Sequence, residues 1–152
     1  MYLKKLFDRL GISLFIIVLL YTGIRMAKSQ DSAEIWKDSE TGLIWTVEDN
    51  GSNFNWNQAN AYCENLTLGG HTDWRLPTID ELKLLYDKSL SKQYKVKGPI
   101  NLKDPGIWSG TTNNSGDAWS FNFGHGGSAL SPAGGPCATL AHALCTCEAG
   151  SE

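Results

Sequence analysis

No stretch of this 152-residue chain stays apolar for the ~20 residues that a membrane-spanning helix comfortably needs. The uncharged apolar run near the N-terminus, Leu10 to Ile24, has 15 residues. No cysteine closes that run, which argues against a lipoprotein. The chain has no Cys-x-x-Cys pair, no glycine-rich phosphate loop after a strand and no internal repeat, so nucleotide use is unsupported. Its three histidines, His71, His125 and His142, stand in loop or strand contexts without a nucleophile signature. Each reads as a surface or loop histidine, and no catalytic triad is expected. A zinc set drawn from Cys137, His142, Cys145 and Cys147 has irregular spacing, so no metal site is expected from it.

The N-terminus does carry a signal. Lys4, Lys5 and Arg9 precede the apolar run, which is the layout of a secretory signal. Ala27-Lys28-Ser29 puts small residues at the two positions a signal peptidase reads, and cleavage there would leave Gln30 first. The competing reading is a retained anchor, with Arg25 and Lys28 snorkelling at the far side. Residues 1–29 are therefore a signal peptide or membrane anchor, and residues 30–152 a single exported domain. Its expected place is the periplasm, the outer surface or the medium, or an inner-membrane tether. If the N-terminal segment is retained, residues 10–24 are the expected membrane contact.

Five of the 13 basic residues and one of the 16 acidic ones lie in the first 29 positions, so the domain keeps 8 basic against 15 acidic. That balance disfavours nucleic acid as a partner. Lys83, Lys88, Lys92, Lys95, Lys97 and Lys103 nevertheless cluster within 21 positions. They read as a solvated helix end and loop, or as a patch for an anionic polysaccharide.

Cys63, Cys137, Cys145 and Cys147 in an exported domain predict disulfides, and four cysteines allow three pairings. Leu43 to Val47 is β-branched, apolar and aromatic, and predicts a strand before the Asp49-Asn50-Gly51-Ser52 turn. Trp56, Ala59, Cys63 and Leu66 share one helical face, capped by Asn53 or Asn55 and ended by Gly69-Gly70. Thr78-Ile79-Asp80-Glu81 is a capping box opening a second helix, with Ile79, Leu82, Leu85 and Tyr86 inward, ending near Lys88. Ile107 to Thr112 and Ala118 to Phe123 predict a hairpin around Asn113-Asn114-Ser115-Gly116, with Trp119, Phe121 and Phe123 on its buried face. Gly124 to Gly127 is a further turn. Ser128 to Ala141 reads as a loop, and Ala141 to Cys147 as a last strand. Trp45, Trp56, Trp108 and Trp119 are expected in the core and Trp36 at the surface. The order of elements predicts an α+β domain with two helices and a mainly antiparallel sheet.

Thr41-Gly42-Leu43-Ile44-Trp45, Trp56-Asn57-Gln58-Ala59, Tyr62-Cys63 and Asp73-Trp74-Arg75-Leu76-Pro77-Thr78 follow one another in an order that resembles the Lcl C-terminal domain family, DUF1566. Ile107-Trp108-Ser109-Gly110-Thr111-Thr112 is similar to that family's Trp-Ser-Ser-Thr-Thr hairpin, with Gly110 in place of one serine. The resemblance implies a fold related to C-type lectins and the formylglycine-generating enzyme, and a bacterial envelope setting. It also implies a bridge between Cys63 and the cysteine of Ala143-Leu144-Cys145, which leaves Cys137 and Cys147 for each other. The tail departs from the family's Leu-Cys-Val-Arg ending, since Thr146-Cys147 stands where Val-Arg is expected.

Together these features predict a non-catalytic, adhesin-like binding module for a polysaccharide or surface protein. No cofactor is expected, although Asp49, Asn50, Asn53 and Asn55 offer oxygens for a structural calcium outside EF-hand spacing. The alternatives are a structural envelope subunit held by the N-terminal segment and, further off, a thiol enzyme of the formylglycine-generating type. The expected contact residues are Asn113, Asn114, Ser115, His125 and Ser128 on loops, joined by Lys92, Lys95 and Lys97 for an anionic ligand.

Overall fold

The computed structural model describes residues 34–134 and 139–150. The N-terminal segment at 1–29 and Cys137 lie outside the described residues. The described residues form two three-stranded antiparallel sheets and two helices. The first sheet has β1 (Ile35–Lys37), β2 (Leu43–Thr46) and β6 (Thr146–Glu148) in the order β1-β2-β6. The second runs β3 (Gly106–Thr112), β4 (Asp117–Asn122) and β5 (Gly127–Pro132) in sequence order. Helix α1 is Trp56–Glu64 and helix α2 is Ile79–Leu85.

Strand alternation divides the interior in two. Leu43 and Trp45 of β2, Ile107 of β3 and Phe121 of β4 join one cluster, which α2 covers with Leu82 and Leu85. Ile44, Trp108 and Ala118 join the other, which α1 covers with Ala59 and Cys63. Neighbouring residues of one strand therefore serve different cores. Trp119 belongs to neither cluster: it is half-buried and paired across the strands with Leu130 of β5. The expected single buried face of β4 fails because that strand is central and covered on both sides. Trp36, expected at the surface, is packed against the first cluster. A Cβ on Gly98, which has φ +65°, would meet the Trp36 ring at 2.8 Å, so this position requires glycine.

Both helix starts follow their sequence signals. Asn55 accepts from the Gln58 amide and Thr78 from the Glu81 amide, each with the reciprocal side-chain bond of a capping box. Their ends differ from expectation. α1 stops at Glu64 because Asn65 caps it, its side-chain and backbone N–H both reaching Ala61 O. Gly69 and Gly70, both at positive φ, make a tight turn that brings Leu68 and His71 into mutual backbone hydrogen bonds. α2 stops at Leu85, with Tyr86 already extended.

The tail is the largest revision. Residues expected as a loop contain β5, an edge strand bonded to β4 along six register pairs. Residues 141–145, expected in a last strand, are buried but make only isolated bridges, Ala141 to Phe54 and His142 to Ile107. Regular pairing is confined to Thr146–Glu148.

Arg75 shows how the connection between the helices is locked. Its guanidinium forks onto Glu81, with both hydrogen bonds at 2.8 Å, and reaches Glu148 of β6 at 3.1 Å. Its backbone pairs with that of Thr146 in both directions. Partial burial alone would raise the Glu81 carboxyl, but the Arg75 hydrogen bonds and the Thr78 amide outweigh it and hold the group below the usual carboxylate range. The linked stability is complete above the unfolded glutamate value of ~4.3 and is lost as pH falls through the lower folded value. Glu81→Ala should cost about 1–2 kcal/mol at neutral pH through the lost cap and ion pair. Urea titrations at pH 7 and pH 3 should show that deficit shrinking in acid. An equal deficit at both values would mean that the carboxylate charge is irrelevant.

Candidate functional site

The polar residues expected to form one site are divided by the topology. Asn113, Asn114 and Ser115 lie in the β3–β4 turn, whereas His125 and Ser128 lie at the β4–β5 turn and the start of β5. These turns sit at opposite ends of β4, about 20 Å apart at ~3.3 Å per residue for a six-residue strand. Asn113 has a structural job there. Its Oδ1 accepts from the amides of Ser115 and Asp117, and its Nδ2 donates to the Asp117 carboxylate. Asn114 and Ser115 are exposed at the tip.

His125 and Ser128 do come together. They line a cleft of about 270 Å³ between β4, β5 and the segment at 139–141. Ser120 and Asn122 from β4 and Asp104 from the preceding loop add polar groups, and Phe121 and Leu140 add apolar surface. His125 accepts the Gly127 amide on Nδ1, which leaves Nε2 for a ligand. Asn122 accepts the Gly124 amide on Oδ1, which leaves its NH₂ as a donor. Both side chains are thus oriented by the turn that carries them.

Behind the cleft lies a pair that sequence reasoning missed. His142 is buried, not a surface histidine, and its Nδ1 lies 3.1 Å from Asp49 Oδ1 without the alignment of a hydrogen bond. Asp49 itself accepts from the amides of Gly51 and Lys103. Asn50 is similarly committed, accepting the Ala143 amide, and Asn55 caps α1. Three of the four calcium candidates therefore already use side-chain oxygens as acceptors for backbone amides, and Asn53 is exposed.

The lysines are also engaged. Lys92 Nζ donates to the carbonyls of Val96 and Gly98, and Lys95 Nζ to that of Leu90. Lys97 pairs with Glu40 at 3.1 Å, Lys83 with Asp80 at 2.8 Å, and Lys103 lies 3.6 Å from Glu48. A second cleft, of about 590 Å³, is lined by Lys92, Tyr94 and Asn101. The basic cluster is thus interleaved with acceptors rather than presented as a bare cationic face.

Cys63 and Cys145 form a disulfide across 82 positions, tying α1 to the buried segment before β6. The Asp73–Thr78 stretch sits between them, with Trp74 and Leu76 buried beside both cysteines. That arrangement places the tryptophans, the cap and the bridge of the sequence pattern in one framework, and the Lcl C-terminal domain profile matches residues 34–140. The chain belongs to the Lcl C-terminal domain family. No curated protein matches it. In this Lcl C-terminal domain Cys147 is a buried free thiol, and Cys137, the partner that the resemblance implies for it, lies outside the described residues. Cys145 is bonded to Cys63 and His142 faces Asp49, so the zinc set considered from sequence is not assembled. Cys147 instead approaches His71 and Asp73. No sequence spacing announces that group, because the thiol arrives from the far end of the chain. Among the described residues no helix is long and apolar enough to cross a membrane.

Proposed function

We propose that this domain is a non-catalytic binding module working outside the cytoplasm, and that its ligand contacts centre on the His125–Ser128 cleft. The observation that carries the reading is the cleft's construction. Histidine, serine, asparagine and aspartate groups surround apolar patches, and two of the side chains are oriented by turn hydrogen bonds. Such a mixture suits the hydroxyls and apolar ring faces of a neutral polysaccharide. The commitment of Lys92, Lys95 and Lys97 to carbonyls and Glu40 makes an anionic chain the weaker candidate. A thiol enzyme is disfavoured by Cys147, whose thiol is pushed up to about 11 by burial and by nearby Asp73.

The test is a polysaccharide array probed with residues 33–152, which hold both cores and the disulfide. Neutral glycans should bind with little dependence on salt. Ser128→Trp, which fills the cleft from an exposed position, should weaken binding by about tenfold or more, or ~1.4 kcal/mol. Asn114→Ala at the other end of β4 should leave it unchanged. Binding confined to anionic chains and lost in salt would move the site to the lysines. Absence of any glycan binding would favour protein recognition or an envelope assembly role.

A further inference from the structure

We propose that His71, Asp73 and Cys147 form a three-ligand site for a zinc-class divalent metal ion, separate from the cleft. One ligand atom from each residue lies within 4.8 Å of the other two. Tetrahedral zinc holds sulfur at ~2.3 Å and nitrogen or oxygen at ~2.0–2.2 Å, which sets ligand atoms about 3.5 Å apart. A closure of about 1 Å would complete the site. Two of the three side chains have room for it: Asp73 is 62% exposed and His71 29%.

The fold brings the three together by two independent devices. The Gly69-Gly70 turn pins His71 to Leu68 through a pair of backbone hydrogen bonds. A Cβ at Gly69 would strike the Ile35 side chain at 2.6 Å, so this turn sits hard against β1. The Arg75–Thr146 backbone pair then sets the Asp73–Arg75 segment against the start of β6, which delivers Cys147. The Trp74 ring meets the His71 ring edge-on at 6.1 Å.

The donor set selects the ion. One thiol, one imidazole and one carboxylate are poor ligands for calcium or magnesium, which want oxygen. They suit zinc and its soft or borderline neighbours. Thiol ligation requires the thiolate, so binding forms a metal–sulfur bond and releases the Cys147 proton to solvent. The cation would relieve the burial and the Asp73 repulsion that now keep that proton on. Arg75, the nearby positive charge, is held by Glu81 and Glu148, whose carboxylates offset it. Three protein ligands leave a fourth position open, and the exposure of Asp73 puts it on the solvent side.

The experiment uses the full chain, untagged, with its disulfide intact and stripped by a chelator. Zn²⁺ alone is titrated by calorimetry and Co²⁺ by absorption. One equivalent of Zn²⁺ should bind, and Co²⁺ should give a near-ultraviolet thiolate charge-transfer band. Cys147→Ser should abolish the band. Because Cys147 is buried and that variant risks misfolding, His71→Gln and Asp73→Asn carry the test as well. Each should weaken Zn²⁺ binding about tenfold or more while leaving the metal-free unfolding transition in place. Lack of stoichiometric binding, a cobalt complex without the thiolate band, or full affinity in His71→Gln would each overturn the site.

Discussion

Replacing both Cys63 and Cys145 by alanine should remove roughly 4–5 kcal/mol of stability, the chain-entropy value for a loop of this size. The bond spans 82 positions, so the loop it closes holds α2 and the whole second sheet, while β1, β2 and β6 lie outside it. Its effect is exerted mainly on the unfolded chain, whose ends it keeps close. A domain of this size typically has ~5–15 kcal/mol in total, so about a quarter or more of that depends on this bond. The two sulfurs also fill space in the second core cluster beside Trp74 and Leu76, and the truncation adds a packing loss in the same direction. Urea unfolding of oxidised wild type and of the double variant gives the number directly. Reduced wild type should behave like the variant, apart from the packing loss. A difference below ~1 kcal/mol would mean that the unfolded chain is already compact without the bond.

Much of the first two-thirds of the fold is legible in the sequence because its signals are local. Asn55 and Thr78 start the helices through side chains three residues from their amide partners. Apolar, aromatic and β-branched side chains place Leu43 to Thr46 and Ile107 to Thr112 in strands, again from local sequence. The tail is not legible, since its order is imposed from a distance. β5 reads Gly-Ser-Ala-Leu-Ser-Pro, a poor strand by propensity, and exists because β4 offers it a full ladder. Residues 141–145 show the opposite failure. Their apolar run resembles a strand, yet they thread between Phe54, Ile107 and Thr46 with one bridge or hydrogen bond at a time. β3 is irregular as well. Between Trp108 and Thr112 the register shifts, and the freed Ser109 carbonyl accepts the Trp56 indole while the Gly110 amide reaches Pro77 O.

The candidate site was legible only in pieces. Composition picks out Asn113 to Ser115 and His125 to Ser128 equally well, because both are turn sequences. The strand expected at Ala118 to Phe123 already separates the two turns, and a single shared site overlooked its length. Composition cannot say that Asn113 is consumed by its own turn while His125 keeps a ring nitrogen for a ligand. The lysine cluster fails similarly. Its sequence density suggests a field, but the carbonyls of Leu90, Val96 and Gly98 and the carboxylate of Glu40 come from the folded loop and from near β1. His71, Asp73 and Cys147 are the extreme case, with two ligands local and the third brought by a ladder at the opposite end of the chain.

Trp108→Ala should be the most damaging single substitution among those considered, at about 3–5 kcal/mol. The side chain is fully buried, and its indole N–H donates to Phe54 O at 2.8 Å. Its backbone amide donates to His142 O, so one residue joins β3, the stretch before α1 and the buried tail. Phe54 O also accepts from Ala141, so it is not orphaned when the indole goes. Trp108→Phe should accordingly cost less than half as much as Trp108→Ala, separating volume from hydrogen bonding. Denaturant unfolding of the two variants checks this, and equal losses would shift the emphasis to the hydrogen bond. Trp108 shares a cluster with Cys63 and Cys145, so combining Trp108→Ala with the disulfide variant should not give a simple sum. A chain already freed of its long-range tie has less native packing left to lose at Trp108. A strictly additive result would show instead that the bridge acts on the unfolded ensemble alone.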